Sequence, residues 1–227
     1  MNEFSGIVIG LQRSGTEYLE QLLRVNFKNV TIKNHVKRGY FWKHSVNPNI
    51  FNFEDNFFHI LISKNPYSWI ESIQRNCVDM GGRHLEFEIC NINGLTGDEI
   101  ITSKNVLGEV SNFSLQNLCR LYNEFFLNWF ISPKRELPLI IRIQYEHLIK
   151  INGFKGALQK IERNFGLNKA TTSWRNVKKV GQSNVFTEEQ RKKYLNMQTF
   201  DLTSTQIQIV NDNISDVVFE KLGYQKI

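Results

Sequence analysis

Short β-branched runs alternate with amphipathic stretches along this chain. Gly6 to Ile9 is the first apolar run, and its length suits a strand buried on both faces. From Thr16 to Asn26 the apolar residues Tyr18, Leu19, Leu22 and Leu23 recur at helical spacing. Phe57 to Ser63 (FFHILIS) predicts a second buried strand. Pro66 then opens a helix whose apolar face carries Trp69, Ile70 and Ile73. Phe113 to Phe130 predicts a long aromatic-rich helix, and Leu139 to Ile143, entered through Pro138, a third strand. Helices are expected over Phe154 to Phe165, Thr187 to Leu195 and Ser204 to Leu222, the last stopped by Gly223 as its C′ residue. Strands alternating with helices predict an α/β fold, three layers deep, with a mostly parallel sheet covered on both faces. Residues 1–227 read as one domain. The stretch from about 77 to 112 carries Gly81, Gly82, Gly94, Gly97 and Gly108 without clear periodicity, as an irregular insertion or lid does.

Composition narrows the class. The chain has 227 residues, 41% hydrophobic and 12% aromatic, enough for a real core and unlike a disordered chain. No apolar run approaches the ~20 residues of a membrane span. Cys77, Cys90 and Cys119 are odd in number and form no C-x-x-C pair, which fits a reducing compartment rather than a disulfide framework or structural zinc. The opening MNEFSGIVIG lacks a basic start and a long apolar segment, so cytoplasmic residence is expected. The N-x-S/T triplets at Asn29, Asn112 and Asn213 are accordingly read as unglycosylated. Lys and Arg outnumber Asp and Glu by 28 to 22, a net +6 that permits an anionic partner without choosing one.

The sharpest chemical signal is a strand, then GLQRSGT, then a helix. Gly10 and Gly15 have the spacing of the glycines of a P-loop, where backbone wraps an anion and the helix N-terminus aims N–H groups at it. The remainder of that pattern is missing. Thr16 and Glu17 stand where a P-loop has Lys and a magnesium-binding hydroxyl. A phosphate-type ligand is expected; an ordinary magnesium-nucleotide triphosphatase is not.

QRSGTEYL resembles the 5′-phosphosulfate loop of sulfotransferases that use 3′-phosphoadenosine-5′-phosphosulfate (PAPS), whose pattern is Lys/Arg-Ser-Gly-Thr-Thr-x-Leu. Arg13, Ser14, Gly15, Thr16 and Leu19 match it, and Glu17 departs from the second Thr. Tyr18 falls where cytosolic members carry an aromatic that stacks on adenine. Downstream, SKNPYSWIES is similar to the family's 3′-phosphate motif, with Lys64 for Arg, Asn65 for Asp, and Pro66 and Ser72 matching. Lys keeps the charge there and loses the bidentate fork. IQYEHLI is similar to the family's Y-E-D-L strand end, so that Tyr145 becomes a candidate nucleotide contact. WRNVKKVGQSNVFT resembles the late basic loop that closes over the nucleotide, which marks Lys178, Lys179 and Gly181. The resemblance covers both ends of the chain and fails over 77–112, where the acceptor determinants are expected. It implies a P-loop NTPase-like sulfotransferase fold, PAPS as donor, PAP as product, and no metal.

Sulfuryl transfer builds negative charge on the leaving oxygen, so a fixed cation at the 5′ end favours the transition state. The loop gives that role to Arg13. A hydroxyl acceptor also needs a base. WKH lies where cytosolic members carry a K-x-H strand, with Lys43 directly before His44. His44 is the expected base, since its pKa lies near neutrality, and Lys43 an expected sulfonate contact. His35, Glu54 and Asp55 are the alternates, and His59, inside an apolar strand, reads as a core residue. The acceptor, a hydroxyl or amine compound such as a carbohydrate or small molecule, is not identified by these residues, nor is the oligomeric state. The competing classes are a P-loop-like small-molecule kinase and a non-catalytic nucleotide- or anion-binding protein. The informative cations sit singly, at strand ends and one late loop, which favours a compact ligand over nucleic acid, and no membrane partner is expected.

Overall fold

The computed structural model describes residues 4–33, 35–36, 41–46, 57–75, 98–104, 110–133, 139–177, 179–180, 183–184 and 200–227. At 35–36, 41–42, 103–104, 179–180 and 183–184 it describes the backbone alone. The chain groups into two compact units. The first comprises residues 1–44, 48–64 and 135–197, the second 45–47, 65–134 and 198–227.

The first unit is built on a parallel sheet. Strands β1 (Phe4–Ile9), β2 (Val30–Ile32), β5 (Phe57–Ser63) and β8 (Ile140–Gln144) lie in the order β2-β1-β5-β8. Ile7, Val8, Ile9, Ile60, Leu61 and Ile62 are fully buried, which is why these strands read as continuous apolar runs rather than alternating ones. Gly6 is required by packing: a Cβ there would lie 2.3 Å from the Phe58 ring. Helix α1 (Thr16–Asn26) buries Leu19, Leu22 and Leu23 in one cluster with Val8, Ile60 and Ile62. Leu158 and Ile161 of α5 (Gly153–Phe165) join the same cluster, and the short α4 (Tyr145–Ile149) precedes α5. Asn26 closes α1 from within, its amide donating to Leu22 O and Arg175 O, both at 2.8 Å, and accepting from Arg175 N at 2.7 Å. The minimal strands β3 (His35–Val36) and β4 (Phe41–Trp42) pair with each other antiparallel. So do β9 (Lys179–Val180) and β10 (Ser183–Asn184).

The second unit is mostly helical. Helix α2 (Pro66–Arg75) buries Trp69, Ile70 and Ile73, as its spacing predicts. Strands β6 (Ile100–Lys104) and β7 (Val110–Ser114) form an antiparallel pair that falls largely in the stretch 77–112 expected to be irregular; residues 77–97 and 105–109 of that stretch lie outside the described residues. Helix α3 spans Leu115–Phe126, not Phe113 to Phe130. Phe113 and Ser114 belong to β7, and the Ser114 hydroxyl accepts from Asn117 N at 3.1 Å, so the cap fixes the helix start. At its other end α3 passes into a π-helical turn over Leu127–Ile131. Its aromatics pack in series with Trp69 of α2 as tilted pairs, Trp69 against Tyr122 at 5.4 Å and Tyr122 against Phe126 at 4.7 Å. The expected helix over Ser204 to Leu222 is two helices, α6 (Ser204–Asn213) and α7 (Asp216–Leu222). Ile214 is extended between them and Ser215 caps α7, accepting from Val218 N. Gly223 ends α7 in the left-handed region, as a C′ glycine does. The helix expected over Thr187 to Leu195 lies outside the described residues.

The chain is therefore α/β with a mostly parallel central sheet and, among the described residues, seven α-helices. None of them is long and apolar enough to cross a membrane.

Candidate functional site

Because β1, β5 and β8 run parallel, the residues following them emerge at one edge of the sheet. Such carboxyl edges are where open α/β sheets hold ligands. The segment from Gly10 to Gly15 leaves β1 there and turns into α1. Ser14 N donates to Leu11 O at 3.1 Å to close the turn. Arg13 sits in the left-handed region with φ 66°, a conformation costly for a residue with a Cβ, and is exposed to solvent. Gly15, the N-cap of α1, has φ 93°, and no side chain caps the first turn. The first N–H groups of a helix have no intrahelical acceptor, so an uncapped start favours an anion. Ser14 is 1% exposed, and its hydroxyl has no hydrogen-bond partner among the described residues. A buried orphan hydroxyl costs stability unless a ligand completes it.

Gly10 fixes the entrance of the loop from both sides of its peptide. Its N–H donates to Lys43 O at 3.1 Å, and its carbonyl accepts from His44 Nδ1. A carbonyl only accepts, so Nδ1 carries the proton and Nε2 is the basic nitrogen of the ring. A Cβ at Gly10 would lie 2.5 Å from Ile62 Cγ2 and 2.6 Å from Ser14 Oγ, so only glycine fits. Lys43 is buried beside His44, and its Nζ donates to Glu20 Oε1 at 2.8 Å; the two side chains are 9% and 8% exposed. Glu20 was missed in the sequence. It lies on the same stripe of α1 as Thr16 and Leu23, and a carboxylate on a buried stripe is itself a signal of a buried cationic partner.

Lys64 follows β5 and is 3% exposed. Its Nζ donates to Arg13 O at 3.4 Å and lies 5.0 Å from the centre of the Tyr145 ring. Tyr145, the first residue of α4, lays that ring against Gly15, where a Cβ would come within 2.4 Å of Tyr145 Cδ2. Tyr145 thus braces the loop from below.

The structure brings Arg13, Ser14, Gly15, Thr16, Lys43, His44, Lys64 and Tyr145 into one neighbourhood of the first unit. Glu17 points to solvent in the first turn of α1. Tyr18 is a core residue, 5% exposed, with its hydroxyl donating to Asn176 Oδ1 at 2.8 Å. Ser72 is buried on α2 in the second unit. The backbone of Lys179 lies in β9, while Lys178 and Gly181 are outside the described residues, as are Glu54 and Asp55. His59 is fully buried on β5 against Phe57, and burial pushes its pKa down to about 4. Among the described residues no group of three His, Cys, Asp or Glu side chains is arranged to hold a metal ion. Compared with protein-family models, curated proteins and solved structures, the chain matches none.

Proposed function

We propose that the chain is a sulfotransferase that takes a sulfuryl group from PAPS and passes it to a hydroxyl or amine acceptor. In this reading the parallel sheet is the centre of a three-layer, P-loop NTPase-like sulfotransferase fold. One observation carries the proposal. Among the described residues the Ser14 hydroxyl has no partner, and it is buried inside a glycine-bounded loop at an uncapped helix start. That arrangement fits a tetrahedral oxyanion, because the ligand would supply the acceptor that the protein withholds. The loop sequence Arg13-Ser14-Gly15-Thr16 and the cation at Lys64 then favour a phosphosulfate donor among oxyanions.

PAPS, when bound, supplies the activated sulfuryl group and a phosphate leaving group. Ser14, Gly15 and Thr16 would hold its 5′ end through hydroxyl and backbone donors, and Lys64 would serve its 3′-phosphate. Arg13 extends an exposed guanidinium from a backbone pinned by Lys64, and would oppose the charge that grows as the bridging oxygen departs. His44 is oriented by Gly10 O with Nε2 as its basic nitrogen, and would accept the acceptor's proton there. Lys43, neutralised by Glu20, steadies that segment rather than adding net charge to it.

The test is calorimetric binding of PAP without metal against ATP with magnesium. Metal-independent binding of PAP and none of ATP is the expected result; the reverse pattern overturns the reading. Arg13→Ala should then collapse sulfuryl turnover while leaving PAP bound, and Lys64→Ala should weaken PAP itself.

A further inference from the structure

Lys43 and His44 are held at three points, and all three lie on one stretch of chain. The Lys43 ammonium donates to Glu20 Oε1 at 2.8 Å. The Lys43 carbonyl accepts from Gly10 N at 3.1 Å, and His44 Nδ1 donates to Gly10 O. Gly10 opens the glycine loop, and Glu20 lies in α1 one turn beyond Thr16, where the helix starts. Loop, helix and the Lys43–His44 segment therefore form a closed circuit, from Gly10 through Thr16 and Glu20 to Lys43 and back to Gly10. All of it belongs to the first unit.

The three ties differ in what they fix. Two contacts to the single residue Gly10 permit rotation about it, and a third contact elsewhere removes that freedom. Glu20 supplies the third. A buried ion pair carries a desolvation cost that apolar side chains of like volume avoid, so its contribution here is geometry more than stability. Lysine has a long flexible stem, and its ammonium stays in an interior where a counter-charge holds it. What depends on the geometry is a proton. With Nδ1–H directed at Gly10 O, Nε2 is left with its lone pair. A ring turned away from Gly10 O can carry the proton on either nitrogen, and in the Nε2–H form that nitrogen accepts nothing.

We infer that Glu20 is a positioning residue: acting through Lys43, it holds His44 in the tautomer that leaves Nε2 basic. The role of His44 as the base rests on the sulfotransferase reading, whereas the hold of Glu20 on its tautomer does not.

Nitrogen-15 spectra of the histidine side chains in the full chain read the tautomer directly, at about pH 8.5 where an ordinary histidine is neutral. The His44 signals are assigned by their loss in His44→Gln. The native chain should favour Nδ1–H at His44 by about tenfold, the worth of one hydrogen bond. Glu20→Gln keeps the volume and removes the charge that holds Lys43. Glu20→Leu/Lys43→Met removes both charges and strands neither, so its urea midpoint should stay near the native one. In both variants the preference should fall to within about threefold of even. A merely structural pair predicts the native tautomer in the double variant, and Glu20→Gln carries the test where the double variant does not fold. PAP, titrated calorimetrically, should bind both variants within about threefold of its native affinity. Nε2–H at His44 in the native chain, the native tautomer retained in either variant, or PAP binding lost together with the tautomer each overturns the assignment. A native chain that does not bind PAP overturns the sulfotransferase reading instead, and the tautomer still decides the role of Glu20.

Discussion

Gly15 is held by two constraints of different kind, and a double-mutant cycle with Tyr145 separates them. Its φ of 93° lies where an L residue pays about 1–2 kcal/mol for contact between Cβ and backbone. Independently, a Cβ would lie 2.4 and 2.5 Å from Tyr145 Cδ2 and Cε2, and overpacking of that kind costs about 1–3 kcal/mol. The Tyr145 ring is 6% exposed, so it has little room to retreat. Gly15→Ala should therefore lose about 2–5 kcal/mol in the native background and only the conformational part, about 1–2 kcal/mol, in a Tyr145→Ala background. The coupling between the two sites is then about 1–3 kcal/mol, well above the scatter of independent positions. Urea unfolding of the four proteins measures it, with coincident fluorescence and circular dichroism transitions as the condition for using free energies. If the two losses add to within about 0.5 kcal/mol, Tyr145 does not brace the loop and the packing argument fails.

His59 gives a pH prediction. Its folded pKa of about 4 lies below the ordinary 6.5, so below pH 6.5 the unfolded chain binds a proton that the folded chain refuses. Stability is unaffected by this group above pH 6.5 and falls by about 3 kcal/mol as the pH drops to 4. Subtracting the stability curve of His59→Leu from that of the native chain should isolate this slope, and a flat difference curve would refute it. The buried Lys43–Glu20 pair predicts an asymmetry: Lys43→Met should cost about 3–5 kcal/mol by stranding the carboxylate, while adding Glu20→Leu should recover most of it. A Lys43→Met protein within 1 kcal/mol of the native chain in urea melts would show that Glu20 does not depend on its partner.

What the sequence made legible follows from how local each signal is. β1, the glycine loop and α1 are adjacent in the chain, and their apolar period and glycine spacing are complete within residues 6–26. Gly223 is likewise legible, since a C′ glycine acts on its own helix. The break at Ile214 and Ser215 is hidden because Val210, Ile214, Val218 and Leu222 sustain a helical period across it, and Ser215 declares itself as a cap only once its hydroxyl is seen on Val218 N. Strand β2 has three residues, too few to show any period, and exists because β1 offers it an open edge. Glu20 and Lys43 stand 23 positions apart, so their pairing belongs to the fold and not to either segment. His44 was legible as a candidate base, yet its tie to Gly10, which sets the tautomer, was not.

The parallel order of the sheet has a consequence for how this protein is made. Strands β1 and β5 are complete by residue 63, but β8 begins only at residue 140, and the greater part of the second unit is encoded in between. A nascent chain that has reached Lys64 holds the loop, the Lys43–His44 segment and the Lys64 cation, and still lacks the ring of Tyr145 that props Gly15. Long-range parallel pairing closes slowly, because loop entropy must be overcome before any contact rewards it. On the proposed function, competence to hold an anion at the loop would be acquired at the last sheet-forming step, and PAPS would stabilise only chains that have finished it.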